Sequence, residues 1–144
     1  AAAGGVELMM SPLGILETVL YAEDLDRAQS FYRDTLGLER TQEEKGRHVF
    51  FRCGGQMLLI FNPRKTVETS SGALPVPAHG AFGQGHVCFR ASASELRDWR
   101  ELFESRGIPI EADFEWPRGG RSVYVRDPAG NSVEFAEPRI WGLP

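Results

Sequence analysis

The stretch Arg126-Asp-Pro-Ala-Gly-Asn-Ser-Val-Glu134-Phe-Ala-Glu-Pro138 decides how the rest of the chain is read. Pro128 presets the backbone for the first central position of a tight turn, and Gly130 accepts the positive φ that follows. Beyond it, Val133 and Phe135 alternate with Ser132, Glu134 and Ala136, the two-residue period of a strand. On that period Glu134 lies on the face opposite Val133 and Phe135. The segment reads as strand end, turn and second strand, the last delivering one carboxylate. Taken alone, such an acid is ordinarily a solvated surface group. Its significance depends on what the remainder of the chain places around it.

Working outward, strands are expected near 110–115 and 121–126, after a helix over about 93–106. Ser92 and Glu95 form the capping box of that helix, and Leu96, Trp99, Leu102 and Phe103 form its apolar stripe before Gly107 ends it. A strand at 85–91 precedes it, with His86, Cys88 and Arg90 on one face. The same order occurs earlier in the chain. A strand at 14–21 carries Ile15, Glu17, Val19 and Tyr21 on one face, and Asp24 caps a helix over about 25–36 with Leu25, Ala28, Phe31, Tyr32 and Leu36 as its stripe. Gly37 supplies the stop, and three strands follow near 38–42, 48–53 and 56–62, punctuated by Gly46 and Gly54-Gly55. Residues 63–83, rich in Pro, Gly and Ser, read as a linker or long surface loop whose end around His79 is apolar enough to be ordered.

The two halves superpose. Glu17 to His86 is an offset of 69, Asp24 to Ser94 and Gly37 to Gly107 are 70, and Gln56 to Asn131 is 75, a drift that hairpin loops absorb. A period seen twice is a tandem duplication, not a solenoid. The expected fold class is α+β: two tandem β-α-β-β-β modules whose curved mixed sheets form a cleft. The expected organisation is a tail at 1–13, then one domain over 14–144. Module 1 lies at about 14–62, the linker at 63–83, module 2 at about 84–138 and a C-terminal tail at 139–144. The duplication makes Glu17 equivalent to His86, and Leu59 equivalent to Glu134. Three of those four positions can bind a divalent metal; leucine cannot.

Composition bounds the function. With 144 residues, 42% hydrophobic and 25% charged, the chain is a soluble globular domain's worth of sequence. A net charge of −4, with 14 Arg and 2 Lys scattered along the chain, argues against a nucleic-acid or anionic-membrane partner. The apolar runs are far shorter than the roughly 20 residues of a membrane span. Residues 1–10 lack the pattern of a secretory signal. Cys53 and Cys88 sit in apolar strand-like runs, as free thiols of a reducing cytoplasm do.

The paired β-α-β-β-β pattern resembles the vicinal oxygen chelate superfamily. So do Glu17 in Leu16-Glu-Thr-Val, the helix motif Asp26-Arg-Ala-Gln-Ser-Phe-Tyr32 running to Leu36-Gly-Leu38, Gly85-His86-Val, and the 126–134 turn. This group includes glyoxalase I, the fosfomycin- and bleomycin-resistance proteins, methylmalonyl-CoA epimerase and the extradiol dioxygenases. The resemblance implies a divalent metal at Glu17, His86 and Glu134, with a further family ligand position occupied here by Leu59. Glu17 stands where the dioxygenases and fosfomycin enzymes most often have His. A Glu-His-Glu set favours Mn or Fe over Zn, Ni or Co, and three ligands leave positions open for two adjacent substrate oxygens. Glu17, Glu134, Tyr124 and His79 are then the catalytic candidates. Arg118 and Arg121 are candidates for an anionic substrate group, and Phe50 and Trp116 for an apolar wall. His48 is ambiguous. The expected protein is a metal-dependent isomerase or lyase, transferase or dioxygenase acting on a small molecule, cytoplasmic and homodimeric. The alternative is a metal-free module that sequesters a drug-like ligand at a dimer groove.

Overall fold

In the computed structural model each half of the chain folds as a four-stranded sheet with a helix of its own. The structure describes residues 9–68, 72 and 74–144. Residues 1–8 of the expected tail, and 69–71 and 73 of the expected linker, lie outside the described residues. The first half contains β1 (Glu17–Tyr21), α1 (Leu25–Gln29), β2 (Glu39–Glu44), β3 (His48–Cys53) and β4 (Gln56–Phe61). A short helix, α2 (Pro63–Thr66), opens the segment expected to be a loop. The second half contains β5 (His86–Arg90), α3 (Ala93–Ser105), β6 (Ala112–Glu115), β7 (Arg121–Arg126) and β8 (Ser132–Ala136), with a 3₁₀ turn at Pro138–Trp141.

The sheets have strand orders β1-β4-β3-β2 and β5-β8-β7-β6, each with one parallel pair and two antiparallel pairs. The registers reproduce the duplication. Val19 lies opposite Leu59 in the first sheet as Cys88 lies opposite Glu134 in the second. One hydrophobic core draws on both halves, from Leu20, Tyr32, Phe51 and Ile60 to Leu96, Phe103, Val123 and Phe135. Side chains alternating with these, Glu17, His86 and Glu134 among them, occupy the opposite sheet faces.

The first helix departs from expectation in its last turns, and the expected cap of the second helix shifts one pairing of the repeat. The first helix does not continue as regular α-helix to residue 36. It widens into a π turn over Ser30–Thr35, where Leu36 N–H reaches the Phe31 carbonyl and Leu38 N–H the Tyr32 carbonyl. The second helix is capped at Ser92, whose hydroxyl accepts from Glu95 N–H at 3.1 Å while the Glu95 carboxylate accepts from Ser92 N–H at 3.2 Å. The cap equivalent to Asp24 is therefore Ser92 and not Ser94, so the second helix begins earlier relative to its stop.

The turn at Asp127–Asn131 joins the halves. Asp127 is 5% exposed and accepts four hydrogen bonds: from Ala129 N–H at 2.9 Å, Asn131 N–H at 2.8 Å, Asn131 Nδ2 at 2.9 Å and Tyr32 Oη at 2.7 Å. Asn131 in turn donates to the Tyr21 carbonyl at the end of β1 and accepts from Gly85 N–H at the head of β5. Burial, then the Asp127 carboxylate, push the Tyr32 phenol far above its ordinary range, so it remains a donor. Among the described residues no helix is long and apolar enough to cross a membrane.

Breaking this junction strands buried partners. Asp127→Ala should cost roughly 3 kcal/mol or more, and Tyr32→Phe about 1–3 kcal/mol, read as lower urea midpoints at unchanged slope. An unchanged midpoint for Tyr32→Phe would show that the two halves do not depend on this bond.

Candidate functional site

Glu134 is the middle residue of β8, flanked by β5 on one side and β7 on the other, and it is 6% exposed. Its Oε2 accepts the Ser122 hydroxyl at 2.6 Å, and its Oε1 stands 3.2 Å from His86 Nε2. The other ring nitrogen of His86, Nδ1, lies 3.0 Å from the Ser132 carbonyl. A carbonyl only accepts, so Nδ1 carries a hydrogen. In the neutral ring Nε2 then presents a lone pair to a carboxylate oxygen. Something must stand between the two lone pairs: a proton, carried by either atom, or a metal shared by both. Metal–ligand distances of about 2.0–2.2 Å put neighbouring donors roughly 3 Å apart, so the pair fits two adjacent corners of a coordination shell. The Nδ1–carbonyl bond is the kind that holds a ligating histidine in its ring orientation.

Two further protic groups surround the acid. Cys88 lies directly across from Glu134 on β5, and Tyr124 directly across on β7. Burial first, and then the Glu134 charge, push the Tyr124 phenol up to about 12. Cys88 is exposed as a residue, yet local burial of its thiol, and then Glu134, likewise push it up to about 12. Both are neutral donors at physiological pH. The Tyr124 ring stacks over His86 at 6.3 Å and over Phe114 at 6.0 Å. Trp116 packs edge-on to Phe114 and donates its indole N–H to the Ser122 oxygen at 2.8 Å.

Of the three expected ligands, the fold brings His86 and Glu134 together. Glu17 is exposed on β1, in the other sheet, and among the described residues no group of three or more His, Cys, Asp or Glu side chains is assembled to hold a metal. Leu59 is buried on β4. His79 lies with Nδ1 2.7 Å from Tyr21 Oη and its ring edge-on to Phe61. Tyr21 and His86 line one cavity of about 230 Å³. A cleft of about 620 Å³ lies between the β3–β4 hairpin turn, residues 53–58, and Val87–Arg90 of β5. A cavity of about 350 Å³ near Pro63 and Pro128 contains neither His86 nor Glu134. Arg121 is engaged by Asp113 at 2.9 Å, whereas Arg118 is exposed on the turn after Trp116. Phe50 packs in the first sheet between His48 and Phe61. Ser122 had no place among the expected site residues. Alternation marked it only indirectly, two residues before Tyr124 and therefore on the same face.

His48 resolves as a packing histidine. It is 7% exposed, stacked on Phe50 at 4.1 Å and edge-on to Phe61, and among the described residues neither ring nitrogen has a hydrogen-bond partner. Burial holds its pKa below the ordinary value, against the smaller opposing pull of Glu44.

A family model for the glyoxalase/bleomycin resistance protein/dioxygenase superfamily matches residues 14–135. The crystal structure of lactoylglutathione lyase from Agrobacterium tumefaciens is 50% identical, with a TM-score of 0.88 over 93% of this chain and 100% of that one. A glyoxalase/bleomycin resistance protein/dioxygenase from Nocardioides is 24% identical with a TM-score of 0.71, over 90% of this chain and 86% of that one. An integron cassette protein from the Halifax Harbour metagenome is 22% identical with a TM-score of 0.69, over 88% of this chain and 99% of that one. These last two share the fold. No curated protein matches the chain.

The neutral His48 ring is favoured by folding, so its contribution is complete above the unfolded value of about 6.5 and is lost as pH falls through the lower folded value. His48→Phe, which keeps the ring stack, should flatten the fall in stability as pH drops below about 6.5. Parallel denaturation curves across that range for the two proteins would contradict the assignment.

Proposed function

This chain belongs to the glyoxalase/bleomycin resistance protein/dioxygenase superfamily, and on that premise we propose that it is a metal-dependent enzyme acting on a small molecule through two adjacent oxygens. The observation that carries the reading is the His86–Glu134 pair, whose facing lone pairs need a proton or a metal between them and whose spacing suits a metal. His86 and Glu134 would hold the ion, with Mn or Fe favoured by the oxygen-rich donor set. Glu17 is the third ligand in this reading. It is exposed on an edge strand away from the pair, so a second copy in a homodimer is the source we assign to it. A bound divalent ion supplies Lewis-acid polarisation of a substrate oxygen.

The chain's own residues then bind, orient and move protons. Tyr124, kept protonated beside Glu134, donates to an oxygen lying next to the pair. His79, paired with Tyr21 on the wall of the cavity that His86 shares, carries a proton to or from the substrate. Phe114 and Trp116 offer an apolar wall beside Tyr124, with Phe50 a candidate on the first sheet. Arg118, exposed beyond Trp116, meets an anionic substrate group, and Arg121 does so only by leaving Asp113. The 50% identical relative is a lactoylglutathione lyase. A lactoyl group has a hydroxyl beside a carbonyl, which is the adjacent pair of oxygens this reading calls for. We therefore place lyase or isomerase chemistry on a thiol adduct ahead of dioxygenation.

Purified protein should contain about one divalent metal per chain. His86→Ala and Glu134→Ala should lose it, with affinity falling at least 10-fold to 100-fold, more than removal of an outer-shell partner costs. Glu17→Ala should weaken it less, and sedimentation should give a dimer. Metal-free wild-type protein that still binds an apolar ligand would favour sequestration instead.

A further inference from the structure

Trp116 lies at the rim of the second sheet, and its position is fixed by a tight turn. Trp116 N–H reaches the Gly120 carbonyl at 2.8 Å, and Gly119 N–H reaches the Trp116 carbonyl at 2.9 Å. Gly119 and Gly120 have φ of 96° and 87°, and a Cβ on Gly120 would come within 2.6 Å of Ile140 Cγ2. No other residue fits that turn without strain. The consequence is a Trp116 indole held over the fully buried Ser122.

The hydrogen bonds that follow have only one direction. An indole N–H donates and never accepts, so it occupies a lone pair of the Ser122 oxygen. The Ser122 hydroxyl then donates its own hydrogen to Glu134 Oε2, 2.6 Å away, in preference to the neighbouring Tyr124 oxygen, because a carboxylate is the stronger acceptor. Oε2 is thereby engaged from the β7 side, and Oε1 is the oxygen turned to His86 Nε2. Successive bonds of this polarity reinforce one another. We propose that Trp116 and Ser122 are positioning residues that fix Glu134 as a one-oxygen ligand, so that cation retention at the His86–Glu134 pair depends on a side chain at the rim of the second sheet. This rests on the metal-dependent reading above.

Titration of the apoprotein with Mn²⁺ alone, and with Ni²⁺ alone, followed by calorimetry, tests it without any substrate. Ser122→Ala should weaken binding roughly 10-fold or more, the scale of lost outer-shell support. Ser122→Thr keeps a hydroxyl and should bind close to wild type. Trp116→Phe removes the N–H together with part of the ring while keeping an aromatic face against Phe114, and should fall between the two. It also supplies the measurement should Ser122→Ala fail to fold. A purely structural role would lower the unfolding midpoint of these variants and leave the affinity of the folded protein unchanged. Wild-type binding that Glu134→Gln abolishes, but that Ser122→Ala and Trp116→Phe leave intact, overturns the positioning role alone. Wild type that binds neither ion overturns both this role and the metal reading.

Discussion

A buried carboxylate with four donors, Asp127, is the constraint on which the arrangement of the molecule depends. An isolated anion in that position would be costly, and its cost is offset only when the turn, the Asn131 amide and the Tyr32 hydroxyl arrive together. Those donors come from both halves of the chain. Asn131 extends the junction to the end of β1 and the start of β5, so the residue immediately before His86 is bonded to the turn that precedes Glu134. The site inherits its spacing from this junction. His86 and Glu134 are 48 positions apart in sequence, yet each is tied within a few residues to the same asparagine.

Much of this was legible in the sequence because it was written in period and punctuation. Alternation put Glu134 opposite Val133 and Phe135, and the duplication paired Leu59 with Glu134, an equivalence that the strand registers Val19–Leu59 and Cys88–Glu134 reproduce. The family resemblance named His86 and Glu134 as partners, and the fold brings them to 3.2 Å. What was illegible depended on direction and depth. The Asp-Pro-Ala-Gly turn announces a bend, but nothing local says that its aspartate will meet a tyrosine 95 residues away. Trp116 reads as an apolar wall because its ring is large. That its N–H is engaged by Ser122 follows from where the Gly119-Gly120 turn points it. Arg121 reads as a free cation until Asp113, on the neighbouring strand, is seen to take it. Glu17 shares a module position with His86, but equivalence within a repeat does not amount to proximity within one chain.

The halves also differ in what their equivalent faces hold. In the second sheet the carboxylate stands among a serine, a tyrosine, a thiol and an imidazole, all able to bond. In the first, Leu59 stands near Phe50, Phe61 and a His48 packed against both rings. Polar chemistry is thus concentrated on one copy of the duplicated sheet, and the other presents an aromatic lining pinned by the His79–Tyr21 bond.

The widened turn in the first helix has a consequence for how the duplication can be handled. It carries Tyr32, the residue that reaches across to Asp127. Counting back from the helix-ending glycines Gly37 and Gly107, the matching position in the second helix is Leu102, which has no hydroxyl to offer. The two modules are therefore copies in topology but not spare parts for one another. A chain assembled from two second halves would keep both sheets and lose the fastening between them, and each half has come to require its unlike neighbour.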